Sequence, residues 1–411
     1  MSQPQTRPQR AGRHNRSQDP WVASGFEPVR DRFYNILERP EERGAALCIY
    51  RHGQLLVDLW GGHLDPNQKT EWQNYTMVST FSACKAMTAL CLLHLVDQGH
   101  ATLDDKVIAH WPEFARVDTE AKSQVSLRHL LQHSAGLPTT RTNRPGDVFN
   151  WSSMVSALER APLLWPTETR TAYHAVTFGH LVGELVRRVS GQMPSEYFAS
   201  HFAAPLGLDY TLRFLPRNFS RTAQCDGYDW KTWLKCCVFT RAAPLFGDWR
   251  AQYFRPCGGD YHPNGKRWQN SEAPAITGFG TAEALARVYA MLAAGGTLDG
   301  QHILSEKIWQ HIARQPAEPV KDLGTGHQVR IGLGMFFNLG PVAELGPNPN
   351  SFGHYGMGGT TSFADPDRGI GFGYVCSHLY QPDGKSPSII GDRGSELAET
   401  FYHCLKDTNL L

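Results

Sequence analysis

Apolar residues along this chain fall into helically spaced sets and short continuous runs, and their order outlines a fold. Phe26, Val29, Phe33, Ile36 and Leu37 recur at helical spacing, so Gly25 to Glu38 reads as an amphipathic helix. Two short runs follow, Ala45–Tyr50 and Leu55–Gly62, separated by Arg51-His52-Gly53-Gln54, a hairpin signal. A second hairpin is predicted near the other end, where Thr361–Ala364 and Ile370–Cys376 flank Asp365-Pro366-Asp367-Arg368-Gly369. A closing helix is expected from Ser395 to Leu405. Helix and hairpin at the start, hairpin and helix at the end, predict an α+β fold: one antiparallel sheet built from both termini and flanked by helices.

Between the termini the pattern is largely helical. The expected pieces include Leu127–Gln132, Ser153–Glu159, Thr177–Gly191 and Ala282–Leu292. This implies a sheet domain of residues 21–80 and 295–411, a mainly helical inserted domain of 81–294, and a site between the two. Residues 1–20 read as a disordered tail, with Arg7, Arg10, Arg13 and Arg16 among Gln, Pro, Ser and Asn. The aromatic-rich stretch from Tyr228 to Trp268 lacks strong periodicity. It is either irregular packing or a wall of a substrate pocket, with Trp230, Trp233, Trp249 and Tyr253 as candidate lining residues.

The most apolar helix-like segment begins at Ser82 and runs to Gly99, preceded by the extended-looking Met77–Phe81. Lys85, three residues after Ser82, is out of place in so apolar a helix unless it has a task. A helix starting at Ser82 puts both side chains on one face. Its first backbone N–H groups lack intrahelical partners, so the Ser82 amide is available to an oxyanion on the carbon its own hydroxyl attacks. Burial and the positive end of the helix lower the lysine pKa, as a proton acceptor requires. Ser-x-x-Lys occurs once in the chain.

A proton taken from a serine must reach the leaving group. Tyr173, at the entry to a helix-like run, is the candidate relay. The third element is Gly353-His354-Tyr355-Gly356-Met357-Gly358-Gly359-Thr360, directly before a strand. Glycines there let backbone approach a ligand closely, and an amide from that edge can complete an oxyanion hole.

Composition narrows the function. The 411 residues carry 40 basic and 39 acidic side chains, a net charge of +1, which argues against nucleic-acid or anionic-membrane partners. No apolar run reaches the length of a membrane span, and the amino-terminal segment has no secretory-signal pattern. Nine cysteines are an odd count, several of them inside apolar runs. Reduced thiols and a cytoplasmic location are expected. Neither the cysteines nor the histidines show a metal-ligand spacing, so neither metal nor organic cofactor is expected.

Taken together and in this order, Ser82-x-x-Lys85, Tyr173 and the Gly-dense stretch resemble the serine β-lactamase and penicillin-binding-protein superfamily, and most closely family VIII carboxylesterases. Asp58-Leu59-Trp60-Gly61-Gly62, Leu130-Leu131-Gln132-His133-Ser134-Ala135-Gly136-Leu137-Pro138, Pro205-Leu206-Gly207-Leu208 and Gly278-Phe279-Gly280-Thr281-Ala282 are similar to that group as well. The resemblance implies Ser82 as nucleophile, Lys85 and Tyr173 as the proton-handling pair, and His354 opening the third motif. It places the backbone amides of Ser82 and Met357, beside Gly356, in the oxyanion hole. Ala175 stands where many lactamases carry Asn in the tyrosine motif, and His354 where they carry Lys, which favours neutral esters over β-lactams. Pro166-Thr167 replaces the more usual Pro-Gly. Cys84, between the two catalytic positions, points in another helical direction and is expected in the core. The expected activity is hydrolysis of a small-molecule ester through an acyl-enzyme. The rivals are a β-lactamase or amide hydrolase, an acyltransferase of the same fold, and a non-catalytic binding homologue.

Overall fold

The computed structural model describes residues 19–227, 249–260, 262–314, 318–339, 344–380 and 391–408. The arginine-containing tail up to Gln18 lies outside them, as do Trp230 and Trp233.

The two terminal hairpins join into one sheet. Its strands are β1 (Trp21–Val22), β2 (Gly44–Arg51), β3 (Gln54–Gly62), β4 (Val320–Lys321), β5 (Gln328–Ile331), β6 (Phe336–Phe337), β7 (Phe352–Tyr355), β8 (Thr361–Asp365) and β9 (Ile370–Cys376). The spatial order is β1-β3-β2-β9-β8-β7-β6-β5-β4, antiparallel throughout. The seam between the termini is the β2–β9 pair, in register from Ala45 opposite Cys376 to Arg51 opposite Ile370. The first hairpin closes on a two-residue turn in which His52 (φ 47°) and Gly53 (φ 75°) are both left-handed, the geometry that matches strand twist.

Alternate residues of each strand face opposite sides, and here both sides are covered. Leu47, Ile49, Phe372 and Tyr374 pack under α1 (Glu27–Leu37) and a carboxy-terminal helix, Arg393–Asp407, whose Phe401 stacks on Phe26 at 5.2 Å between ring centroids. The opposite face takes the helix Ala282–Ala293, which belongs by sequence to the inserted stretch. It lies very close to the sheet. A Cβ on Gly371 would stand 2.2 Å from Ala290 N, and one on Gly373 2.4 Å from Ala282 O. Glycines on the strand and Ala282, Ala286 and Ala290 on the helix together permit that approach.

The expected helical pieces form with shifts of a residue or two. Leu127–Leu131 is capped by Ser126, Trp151–Arg160 by Asn150, and Ala282–Ala293 by Thr281. Thr177–Ser190 ends at left-handed Gly191, φ 75°. One boundary differs from expectation in a way that bears on chemistry. The apolar helix does not start at Ser82: Phe81–Ala83 is a 3₁₀ turn and the α-helix runs Cys84–Asp97. Phe81 has φ 46°, unusual for a bulky residue, so the chain reverses sharply just before the serine. From Cys84 to Leu95 every side chain is buried, which makes this the central helix of the inserted part.

Candidate active site

Ser82 sits half-buried on the 3₁₀ turn, between Val78–Ser79 of a small three-stranded sheet and the central helix. At about three residues per turn, positions three apart lie one above the other. Lys85 Nζ is accordingly 3.0 Å from Ser82 Oγ, and it donates to Ala275 O at 2.8 Å. The amine is fully buried, and burial lowers its pKa to about 7 against the opposing pull of Cys84 and Cys257. Desolvation therefore leaves about half of it neutral at pH 7 and most of it neutral above that. A neutral amine has a lone pair to accept the serine proton while one of its N–H groups stays on Ala275 O.

Tyr173 reaches the same place from a distant segment. Lys85 Nζ lies 4.8 Å from its ring centroid, and burial raises the phenol pKa although a hydrogen bond with Ser82 lowers it. The phenol is thus protonated at neutral pH. On its other side stands His354 Nε2, 3.5 Å from the hydroxyl. His354 Nδ1 donates to Tyr355 O at 2.7 Å, which leaves Nε2 as an acceptor aimed at the tyrosine O–H. Burial, reinforced by Lys85, pushes the imidazole pKa down to about 3. It is a neutral acceptor where a lysine-bearing motif would present a cation.

The rest of the third motif lies against the serine turn. A Cβ on Gly356 would stand 2.2 Å from Thr80 O, so only glycine lets the two backbones approach this closely. Gly356 to Gly359 form a turn closed by Gly359 N donating to Gly356 O at 3.2 Å, with Gly358 at φ 92°. Met357 occupies the second position of that turn. Cys84 is buried beside Gly278, and its thiol pKa is pushed up to about 12, so it remains a thiol.

The structure brings Ser82, Lys85, Tyr173 and His354 together. Trp249 packs edge-on against Trp165 and Tyr253, at 5.4 and 5.9 Å between centroids. A cavity of about 290 Å³ borders Tyr173, and its aromatic wall is Tyr173, Phe336, Phe337 and Tyr355. Neither Trp249 nor Tyr253 lines it.

Sequence reasoning missed what holds Tyr173. Asp322, with no exposed surface, accepts from the Tyr173 amide at 2.6 Å and from the Gly324 and Thr325 amides at 3.2 and 2.9 Å. Its one signal was the turn chemistry of Asp322-Leu323-Gly324-Thr325-Gly326. His133, in the stretch that carried part of the resemblance, packs its ring 4.9 Å from Tyr173 and accepts from the His174 amide at 2.8 Å. Burial holds both histidines neutral, His174 at about 4 and His133 well below its usual value.

The Beta-lactamase family profile matches residues 29–389. The chain belongs to the Beta-lactamase family. It is 29% identical over 345 residues to "Esterase/beta-lactamase LipL" of Mycobacterium tuberculosis, a match spanning 82% of this chain and 78% of that protein. Among solved structures, a family VIII carboxylesterase superposes with TM-score 0.81 at 31% identity, over 95% of this chain and all of the other. A penicillin-binding-protein homologue from Caulobacter crescentus superposes with TM-score 0.80 at 28% identity, over 94% of this chain and all of that one. The fold is therefore that of β-lactamase-type hydrolases, and no helix among the described residues is long and apolar enough to cross a membrane.

Proposed function

We propose that this protein is a serine hydrolase that cleaves carboxylic esters through an acyl-enzyme. The observation that carries the reading is a buried lysine amine, its pKa lowered by burial to about 7, 3.0 Å from a half-buried serine hydroxyl, with a protonated phenol beside both. In acylation Ser82 Oγ bonds to the ester carbonyl carbon as its proton passes to Lys85 Nζ, and the carbonyl electron pair moves onto oxygen. The amides of Ser82 and Met357 hold that oxyanion. When the intermediate collapses, the alcohol leaves with the Tyr173 proton, and Tyr173 takes one back from Lys85. His354 Nε2 steers the phenol during this exchange. Water then attacks the acyl carbon, its proton enters the same relay, and the acid departs as Ser82 regains its hydrogen.

Esters are favoured over β-lactams because the site offers no cation at the third motif: His354 is neutral, and Ala175 has no amide group to recognise a lactam side chain. The relatives named as a carboxylesterase and as an esterase/β-lactamase support the same class. The second of those names also supports a weaker β-lactam hydrolysis by the same machinery. Ser82→Ala is expected to lower kcat/KM for a short-chain p-nitrophenyl ester by on the order of 10⁴-fold or more. The circular dichroism spectrum should be unchanged. Undiminished ester turnover in that variant would overturn the assignment, and faster turnover of nitrocefin than of any ester in a panel would replace it with the lactamase reading.

A further inference from the structure

Behind the third motif lies a buried ion pair that the mechanism above does not use. Arg393, on the first turn of the carboxy-terminal helix, and Glu42, just before β2, are 4% and 6% exposed and form a salt bridge through Arg393 Nε. Burying two charges in this way costs more than an apolar pair of the same volume, so the arrangement calls for a reason. The free end of the guanidinium supplies one. Arg393 Nη1 donates to Gly358 O at 3.1 Å and to His378 O at 3.0 Å. Gly358 O also accepts from the Tyr380 amide at 3.0 Å, while a Cβ on Gly358 would stand 2.4 Å from Leu379. Next to Arg393, Gly394 lets the helix press on Thr361, where a Cβ would fall 2.4 Å from its Oγ1. The turn Gly356–Gly359 is thus held on one side by Thr80 and on the other by a guanidinium tied to a distant carboxylate.

We propose that Arg393 is a positioning residue: with Glu42 as its fixed counter-ion, it grips the Gly358 carbonyl from behind and thereby presents the Met357 amide to the oxyanion formed at Ser82. This rests on the serine-hydrolase reading. The planar fork of arginine serves the carboxylate with one nitrogen and two carbonyls with another. A lysine, a single point donor on a different reach, does not reproduce that geometry.

The test uses the full chain as wild type, Arg393→Lys, and the double variant Glu42→Gln with Arg393→Met, which removes both charges at nearly constant volume. Each is compared after thermal melting establishes that it is folded. The rate of Ser82 labelling by a fluorophosphonate, kcat and KM for p-nitrophenyl butyrate, and the affinity of an aryl boronic acid that forms a tetrahedral adduct are measured. In the folded variants labelling, kcat and boronate affinity should each fall by about 10- to 100-fold, the scale of an ångström-level misplacement, with KM little changed. If Arg393→Lys does not fold, the double variant decides. Labelling and boronate affinity at wild-type levels in a folded variant would overturn the positioning role and leave the hydrolase reading standing. An unlabelled wild-type protein would overturn both.

Discussion

In the proposed mechanism Lys85 governs the pH behaviour, because acylation needs its neutral form and burial sets its pKa at about 7. kcat/KM is therefore expected to fall tenfold per pH unit below about pH 7 and to level off above it. Neither His354, at about 3, nor Tyr173, raised by burial, titrates between. A profile flat from pH 5 to 9 would exclude Lys85 as the base. The same shift has a stability consequence. Between pH 7 and 10.5 the unfolded chain binds the lysine proton and the folded one does not, so stability rises with pH across that window. Below it the penalty is on the order of 5 kcal/mol. Lys85→Met should abolish turnover yet raise the melting temperature, by more at pH 7 than at pH 10. A variant less stable than wild type at pH 7 would contradict this account.

Among the elements, the site depends on close contacts between segments far apart in sequence. Gly356→Ala places a methyl group 2.2 Å from Thr80 O and must push the third-motif turn away from the serine turn. We expect kcat to fall about 100-fold, as for a misplaced oxyanion donor, with a stability loss of about 1–3 kcal/mol. Stopped-flow ester hydrolysis and urea melts would show both. Asp322→Ala frees the Tyr173 amide and the loop that carries it. Because Ser82 and Lys85 are untouched, kcat should drop while the pH midpoint stays near 7, and a moved midpoint would mean that Asp322 tunes the base instead. These contacts left little trace in the sequence. Asp322 is 149 residues from Tyr173, and no local periodicity links the two.

At the scale of the molecule, the two ends of the chain make one sheet. The β2–β9 seam joins them, and the helix Arg393–Asp407 buries Leu397, Phe401 and Leu405 against α1 and the strands beneath. Ending the chain at residue 391 would expose that apolar face and remove the Arg393–Glu42 pair with it. Such a truncation should lose cooperative thermal unfolding, measured by circular dichroism. A truncated protein that still melts in one sharp transition would show that the seam alone suffices.

Local pattern determined a good deal of this protein. The short apolar runs Ala45–Tyr50 and Ile370–Cys376, the turn chemistry of His52-Gly53, and the helical spacing of Phe26, Val29, Phe33 and Ile36 each act over a few residues, so they could be read directly. The Ser82–Lys85 pairing was legible for the same reason, one turn being a local distance. What the tertiary structure alone decided is non-local. It sharpened the serine's approach into a 3₁₀ turn that opens on left-handed Phe81, and it aimed His354 Nε2 at the tyrosine hydroxyl. It also set Asp322 and Arg393 behind the reacting groups. Those placements arise from packing between surfaces that meet only when the chain is folded, and burial, which lowers the pKa of both Lys85 and His354, does not exist until then.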